Sequence, residues 1–176
     1  MTSPLVKQGR GAEGSQRRLV ADPAHRTGLP MQVNYWRGAP TLSDPGSTVQ
    51  IAAETDVANA RRVGLEMSAR AGFTGGDQTV IAAAIAEVAQ NIVTYAGAGE
   101  IILTEVSDGR PGLVVVARDS GPGMDVPSAL REGFSTVGAP GLGLNGVRRL
   151  MDVFEIASTP GKGTTITMTK WRTRPS

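Results

Sequence analysis

The stretch that decides the fold is Leu113-Val114-Val115-Val116-Ala117-Arg118-Asp119-Ser120-Gly121-Pro122-Gly123. Its first five residues are apolar and rich in valine, which predicts a buried strand. A carboxylate follows at the strand end, and burying a carboxylate is costly unless a donor group pairs with it. The exocyclic amine of a purine could be that donor, and the two glycines would let the base approach the backbone. An ordinary Asp-Ser-Gly turn is the alternative.

Helices and strands group separately around this stretch. The upstream pattern predicts a strand at Val49–Glu54 and helices from Thr55 to about Ala71 and from Asp77 to about Thr94. The remaining predicted elements are the strand Glu100–Ser107, the helix Leu144–Met151 and the strands Val153–Ser158 and Thr164–Trp171. Such grouping favours an α+β two-layer sandwich over an alternating parallel sheet.

The second predicted helix carries a polar pair, Glu87 and Asn91, spaced four residues apart and therefore on one face. That face lies beside the helix's apolar stripe. An acid and an amide there could hold a hydrated Mg²⁺ and orient an attacking hydroxyl, because Mg²⁺ takes few protein oxygens beside substrate phosphates. A solvated helix edge is the alternative for an isolated pair. The stripe consists of Ile81, Ile85, Val88 and Ile92.

Three glycines, Gly138, Gly141 and Gly143, lead into the third predicted helix. Free backbone N–H groups at a helix start, reached through glycines, can cradle a phosphate. The segment lacks the Gly-Lys-Ser/Thr of a Walker A loop, and no strand directly precedes it as a dinucleotide fingerprint requires. A flexible linker is the alternative.

Composition excludes several kinds of site. The chain has no cysteine and one histidine, so disulfides, zinc–thiolate sites, thiol catalysis and multi-histidine metal sites cannot form. The formal net charge is +2, and no basic face interleaved with aromatic residues indicates nucleic-acid binding. No run of 18 apolar residues and no signal-peptide pattern is present, so we expect a cytoplasmic protein without membrane contact.

The chain divides into a tail and a domain. Residues 1–47 hold five of the eleven prolines and six glycines with little apolar periodicity, which predicts a disordered basic tail. A docking arm anchored by Tyr35 and Trp36 is the alternative, and Met31 could be the natural start. Residues 48–173 form the predicted folded domain.

Four motifs occur in a fixed order along this domain. Glu-x-x-x-Asn precedes Asp-x-Gly-x-Gly, which precedes Gly-x-Gly-Leu (141–144) and Gly-x-Gly-Thr (161–164). This order resembles the Bergerat nucleotide fold of the GHKL ATPases and kinases. The resemblance implies ATP and Mg²⁺ as cofactors, and a mixed, mostly antiparallel sheet covered on one face by helices.

The resemblance also implies a role for each motif residue. Asn91 would bind Mg²⁺, and Glu87 would be the catalytic base or orient the nucleophile. Asp119 would contact the adenine amine, with Gly121 and Gly123 shaping the base pocket. The residues implied in the phosphate-wrapping lid and the last motif are Gly138, Gly141, Leu142, Gly143, Leu144 and Thr164.

Within the GHKL class, residues 90–97, 132–136 and 146–152 are similar to the RsbT type of serine/threonine switch kinase. Tyr95 stands where RsbW-type anti-sigma kinases usually have histidine. The resemblance implies phosphorylation of a STAS-domain partner, and activation of a PP2C-type phosphatase by the released kinase. Two alternatives remain open: an RsbW-like kinase that sequesters a sigma factor, and a nucleotide-binding module without catalysis. Retention of both Glu87 and Asn91 argues against the second.

Overall fold

The computed structural model describes the backbone of Thr41–Leu42 together with residues 46–130 and 142–173. Strands and helices follow one another in the grouped order that the sequence predicts. They are β1 (Thr41–Leu42), β2 (Ser47–Ile51), α1 (Glu54–Arg70), α2 (Gly75–Asn91), a π-helical segment (Ile92–Ala96), β3 (Gly99–Ser107), β4 (Pro111–Asp119), α3 (Val126–Ala129), α4 (Gly143–Leu150), β5 (Val153–Ser158) and β6 (Thr164–Trp171).

The strands form one six-stranded sheet in the order β1-β3-β4-β6-β5, and β2 pairs with β3 beside β1. The register of β3 on β4 runs from Gly99 opposite Asp119 to Ser107 opposite Pro111. All strand pairings in the described part of the chain are antiparallel, so the parallel component of the expected mixed sheet is not found there. The predicted α+β two-layer architecture is confirmed.

The core lies between one face of the sheet and the helices α1, α2 and α4. The predicted stripe of α2 is buried as expected, with Ile81, Ile85 and Val88 fully enclosed. Gly64 of α1 lies so close to Ile85 that a Cβ there would collide with the Ile85 Cδ1 atom. The helix Gly75–Ala96 is long and apolar enough to cross a membrane by length and composition alone. Its apolar stripe is instead part of the core.

Two of the differences between predicted and observed element boundaries have clear local causes. Strand β2 ends at Ile51, whereas the sequence predicts an end at Glu54, because Asp56 Oδ2 accepts the N–H groups of Ala52 and Ala53, each at 2.9 Å. That carboxylate turns the chain into α1 at Glu54. The second helix changes from α to π geometry after Asn91, and the Gly97 N–H closes the π segment on the Ile92 carbonyl oxygen at 2.8 Å.

The sheet extends into the segment predicted as the tail. Thr41 and Leu42 pair with Ser107 and Val106, and Ser47 begins β2. Residues 1–40, which include Tyr35 and Trp36, lie outside the described residues, as do 43–45. Disorder of residues 1–47 and a domain boundary at 47/48 therefore stay predictions.

Candidate nucleotide site

Asp119 is the last residue of β4, at the edge of the sheet where the sequence predicts adenine recognition. Its Oδ1 atom accepts the Gly121 N–H at 2.9 Å and the Thr164 N–H at 3.3 Å. Thr164 begins β6 directly opposite Asp119 in the sheet register. The second and fourth motifs therefore meet at one carboxylate, whose Oδ1 is held by two backbone donors.

The turn after β4 needs its two glycines for close packing. A Cβ on Gly121 would lie 2.6 Å from the Ala96 Cβ of the π segment. Gly123 has φ of +69° and a Cβ there would collide with the Thr159 carbonyl oxygen. The turn thus lies between the π segment and the β5–β6 connection, and larger residues at either position would push it away.

Ser158 is a residue beside the candidate site that the sequence motifs do not identify. Its hydroxyl accepts the Met124 N–H at 2.9 Å and donates to the Gly163 carbonyl oxygen at 3.0 Å. It also lies 3.0 Å from the Thr164 hydroxyl. Ser158 therefore ties the turn after Asp119 to the last motif. Its only sequence signal is its place at the end of a strand before the Pro160-Gly161 turn.

Glu87 connects the first motif to the third. This half-buried side chain on α2 accepts the Leu142 N–H on its Oε2 atom at 3.0 Å, across 55 positions of the sequence. Leu142 directly precedes α4, and Gly143 follows with φ of +62°. Leu144 is buried and fixes the start of α4 in the core. A carboxylate thus binds a backbone donor at the start of a helix, the position at which helices favour anions.

Asn91 ends α2 one helical turn after Glu87 and is half-buried. The two side chains offer oxygen donors of the type that Mg²⁺ prefers. Across residues 46–130 and 142–173, no group of three or more His, Cys, Asp or Glu side chains could hold a metal ion alone. The donors present fit an Mg²⁺ ion that is held mainly by substrate phosphates. The predicted lid residues Gly138 and Gly141 lie outside the described residues.

The comparisons with known proteins agree with this arrangement. Residues 51–170 match the family described as the histidine kinase-like ATPase domain. The chain is 45% identical over 127 residues to the serine/threonine-protein kinase RsbT of Bacillus subtilis strain 168. That match covers 71% of this chain and 96% of the relative.

One solved structure with a TM-score above 0.5 supports the fold. The RsbU and RsbW domains of a Mycobacterium tuberculosis protein superpose with a TM-score of 0.54 at 22% identity, over 76% of this chain and 34% of that one. The mycobacterial sensor histidine kinase MprB gives a TM-score of 0.45 at 17% identity, over 73% of this chain and 99% of that one. Together with the 45% identity, the family match shows that the chain belongs to the histidine kinase-like ATPase family, as a serine/threonine-protein kinase of the RsbT type.

Proposed function

We propose that this kinase transfers the γ-phosphoryl group of ATP to a serine or threonine hydroxyl of a STAS-domain partner, and that phosphorylation releases this partner. The released kinase then activates a PP2C-type phosphatase. The observation that carries the proposal is the bond from Leu142 N–H to Glu87 Oε2, which joins the predicted base to the start of the phosphate-binding helix. A cytoplasmic location is part of the proposal, because the reaction consumes ATP.

Asp119 is the residue that we propose recognises adenine. Its Oδ1 atom is engaged by Gly121 and Thr164, so Oδ2 is the oxygen to which the exocyclic amine would donate. A hydrogen bond to a charged acceptor contributes roughly 1.5–3 kcal/mol. Gly121 packs against Ala96 and Gly123 packs against Thr159, and these contacts hold the turn in place beside the Asp119 carboxylate.

Glu87 and Asn91 are the proposed catalytic residues. The acceptor oxygen forms a bond to the γ-phosphorus while the bond from that phosphorus to the β–γ bridging oxygen breaks, leaving ADP. Glu87 takes the proton of the acceptor hydroxyl, and Asn91 would hold Mg²⁺ beside the phosphates. When bound, Mg²⁺ neutralises charge that develops on them. Glu87 must turn from Leu142 toward the hydroxyl, which frees the Leu142 N–H for a phosphate oxygen.

The surroundings of Glu87 and Asn91 support a protein as the acceptor of the phosphoryl group. Tyr95 and Leu142 are 44% and 47% exposed, and they are the large apolar side chains exposed among the described residues. Tyr95 follows Asn91 by four positions and Leu142 bonds to Glu87, so each lies next to a proposed catalytic residue. Exposed apolar side chains beside a catalytic pair suit the docking of a protein surface.

Electrostatic repulsion releases the phosphorylated partner. A phosphate placed on its contact surface adds about −1.5 to −2 charges. It would face Glu87 and the nucleotide phosphates, and like charges at short range weaken the complex. The surface of the kinase then becomes available to the phosphatase.

The test combines the kinase with a candidate STAS protein and Mg·ATP, and follows phosphorylation by mass spectrometry and the complex by size-exclusion chromatography. Glu87→Gln keeps an acceptor oxygen for Leu142 but cannot take a proton, so we expect transfer to fall by roughly 10²–10⁴ with ATP still bound. Glu66→Gln, on the exposed face of α1, is the matched control.

Two results would overturn the proposal. Phosphorylation without dissociation leaves a kinase that does not switch partners. Tight binding of a sigma factor without STAS phosphorylation assigns the chain to the anti-sigma type. Full activity of Glu87→Gln would show that Glu87 is not the catalytic base. The identity of the partner is decided by the two other results.

A further inference from the structure

Gln90 is the residue of α2 that lies directly before Asn91, and its side chain contacts two other segments. Its Nε2 atom donates to the Glu54 Oε1 atom of α1 at 2.7 Å, across 36 positions of the sequence. The same Nε2 atom donates to the hydroxyl oxygen of Thr94 in the π segment at 3.4 Å. We call these two contacts the Gln90 bridge. The bridge therefore joins the start of α1 to residues on both sides of Asn91 in the chain.

The α1 end of the bridge is fixed to the sheet. Glu54 is the first residue of α1, and the chain reaches it directly from β2. The Asp56 carboxylate accepts the N–H groups of Ala52 and Ala53, which holds the connection between β2 and α1. Strand β2 in turn pairs with β3 along its whole length. The Gln90 side chain thus bonds to a helix start whose position relative to the sheet is set by other contacts.

The inner side of the π segment packs against the residues around the proposed adenine pocket. A Cβ at Gly99 would lie 2.9 Å from the Ile92 Cγ2 atom and 3.2 Å from the Asp119 Cβ atom, so a single glycine separates these two side chains. At the other end of the segment, Ala96 packs against Gly121, whose N–H donates to Asp119. The π segment therefore connects the end of α2 to the pocket, and a shift of the segment changes their separation.

The π segment also has a contact on its exposed side. Because π turns are rare, the α-helix is the default geometry, and contacts must hold the segment away from it. Ile92 acts on the buried side, whereas Thr94 is exposed. The Gln90 bridge reaches Thr94 from the last turn of α2 and so spans the point where α geometry changes to π. That point is Asn91.

We propose that Gln90 is a positioning residue for phosphotransfer. Held by Glu54, it keeps the junction between α2 and the π segment in place, and the junction sets where Asn91 lies relative to the adenine pocket. With the base bound at Asp119, this spacing decides whether the phosphates reach Asn91. Placement matters because a shift of about 1 Å can lower a rate on the order of 10²-fold. The inference rests on the proposed roles of Asn91 and Asp119.

Exchanging the two partners tests the bridge directly. Gln90→Leu removes the bridge without adding charge, and Gln90→Glu places two carboxylates against each other. The double variant Glu54→Gln/Gln90→Glu reverses donor and acceptor. Its new amide can donate to its new carboxylate, and the Thr94 hydroxyl can donate to that carboxylate as well. We therefore expect the double variant to restore what each Gln90 substitution loses.

Gln78→Leu is the matched control. Gln78 lies on the same helix, is half-buried like Gln90, and donates to the Phe73 carbonyl oxygen at 2.8 Å. This variant also loses a side-chain hydrogen bond, but at the end of α2 away from the π segment. A general loss of stability would affect Gln78→Leu and Gln90→Leu alike.

The first measurement is hydrogen exchange by NMR without nucleotide, which reports on the π segment itself. The Gly97 N–H closes this segment on the Ile92 carbonyl oxygen. We expect exchange at Gly97 to become roughly 2- to 10-fold faster in Gln90→Leu and Gln90→Glu. The double variant should return to the wild-type rate, and Gln78→Leu should not differ from it. Wild-type exchange in Gln90→Leu, or equal acceleration in Gln78→Leu, would overturn the proposal.

The second measurement is binding of a ribose-labelled fluorescent ATP with Mg²⁺ and with EDTA. The affinity gained from Mg²⁺ reports on the contact between Asn91 and the phosphates and needs no protein acceptor. We expect this gain to be roughly 2- to 10-fold smaller in Gln90→Leu and to recover in the double variant, with affinity in EDTA unchanged.

Asn91→Ala separates the two ways in which the idea can fail. If Asn91→Ala loses the gain from Mg²⁺ and Gln90→Leu keeps it, the proposed role of Asn91 stands and the positioning role of Gln90 is wrong. If Asn91→Ala keeps the gain, the proposed role of Asn91 is wrong and the inference about Gln90 falls with it.

Discussion

Replacing Asp119 with asparagine gives the sharpest test of nucleotide recognition, because the structure fixes how the new side chain can lie. Oδ1 receives the N–H groups of Gly121 and Thr164. An asparagine must keep its carbonyl oxygen at that position. If its NH₂ group lay there instead, it would face two N–H donors and both hydrogen bonds would be lost. Its NH₂ group is then forced into the place of Oδ2, where it faces the adenine amine.

The expected loss follows from that geometry. A bond from the amine to a carboxylate, at roughly 1.5–3 kcal/mol, is replaced by two opposed donors. The dissociation constant for ATP should therefore rise by on the order of tenfold to a hundredfold. ITP carries a carbonyl oxygen at C6 in place of the amine, so the asparagine NH₂ can donate to it. Asp119→Asn should thus bind ITP at least as tightly as ATP, whereas the wild type prefers ATP.

Fluorescence competition against a labelled ATP analogue measures both constants. Asp108→Asn makes the same charge change in the exposed β3–β4 hairpin and serves as the control. Circular dichroism checks that each variant is folded. An unchanged ATP/ITP preference in a folded Asp119→Asn protein would refute adenine recognition by this carboxylate.

Four further predictions concern other parts of the molecule. Asn91→Ala should abolish phosphotransfer with little change in melting temperature, since the side chain is half-buried and outside the apolar stripe; unfolding of the variant would instead make Asn91 structural. Ser158→Ala should destabilise the fold by about 1–3 kcal/mol in urea titration, because three polar groups lose their common partner. Gly64→Val should cost about 1–3 kcal/mol through overpacking against Ile85, whereas Gly76→Val, with open space around its Cα, should cost less. Hydrogen exchange across residues 127–142 should slow when Mg·ATP is added, and equal exchange in both states would contradict a nucleotide-ordered lid.

Features set by neighbouring residues could be predicted from the sequence. The bounds of β5 and β6 match the structure, and those of β3 and β4 differ by one or two residues. The apolar stripe of α2 is buried, as its helical spacing predicts. In contrast, the sequence places the helix start near Thr55 and does not show that the Asp56 carboxylate reaches back to the N–H groups of Ala52 and Ala53. An acidic residue near a helix start can accept N–H groups on either side of it, so composition alone does not separate the two arrangements.

The π segment after Asn91 depends on contacts that no local pattern reports. Ile92 is buried and packs beside Gly99, and Gly97 closes the wider turn. Apolar periodicity continues through Thr94, so the sequence predicts an uninterrupted α-helix. π turns are rare and occur often at functional sites. Here the altered geometry brings Ala96 against Gly121, which places the end of the Glu87–Asn91 helix against the proposed adenine pocket.

The site's connections could not be predicted for a related reason: each joins residues that are distant in sequence. Glu87 reaches Leu142, Asp119 reaches Thr164, and Ala96 touches Gly121. The order of the motifs identified most of these residues. It did not predict that the first motif contacts the third, through Glu87 and Leu142, or that the second contacts the fourth, through Asp119 and Thr164. The π segment links the two pairs, because it continues the helix of Glu87 and its Ala96 lies against Gly121. A substitution that straightens this segment into an α-helix should therefore shift the adenine pocket relative to Glu87, and so impair phosphotransfer while every motif residue stays in place.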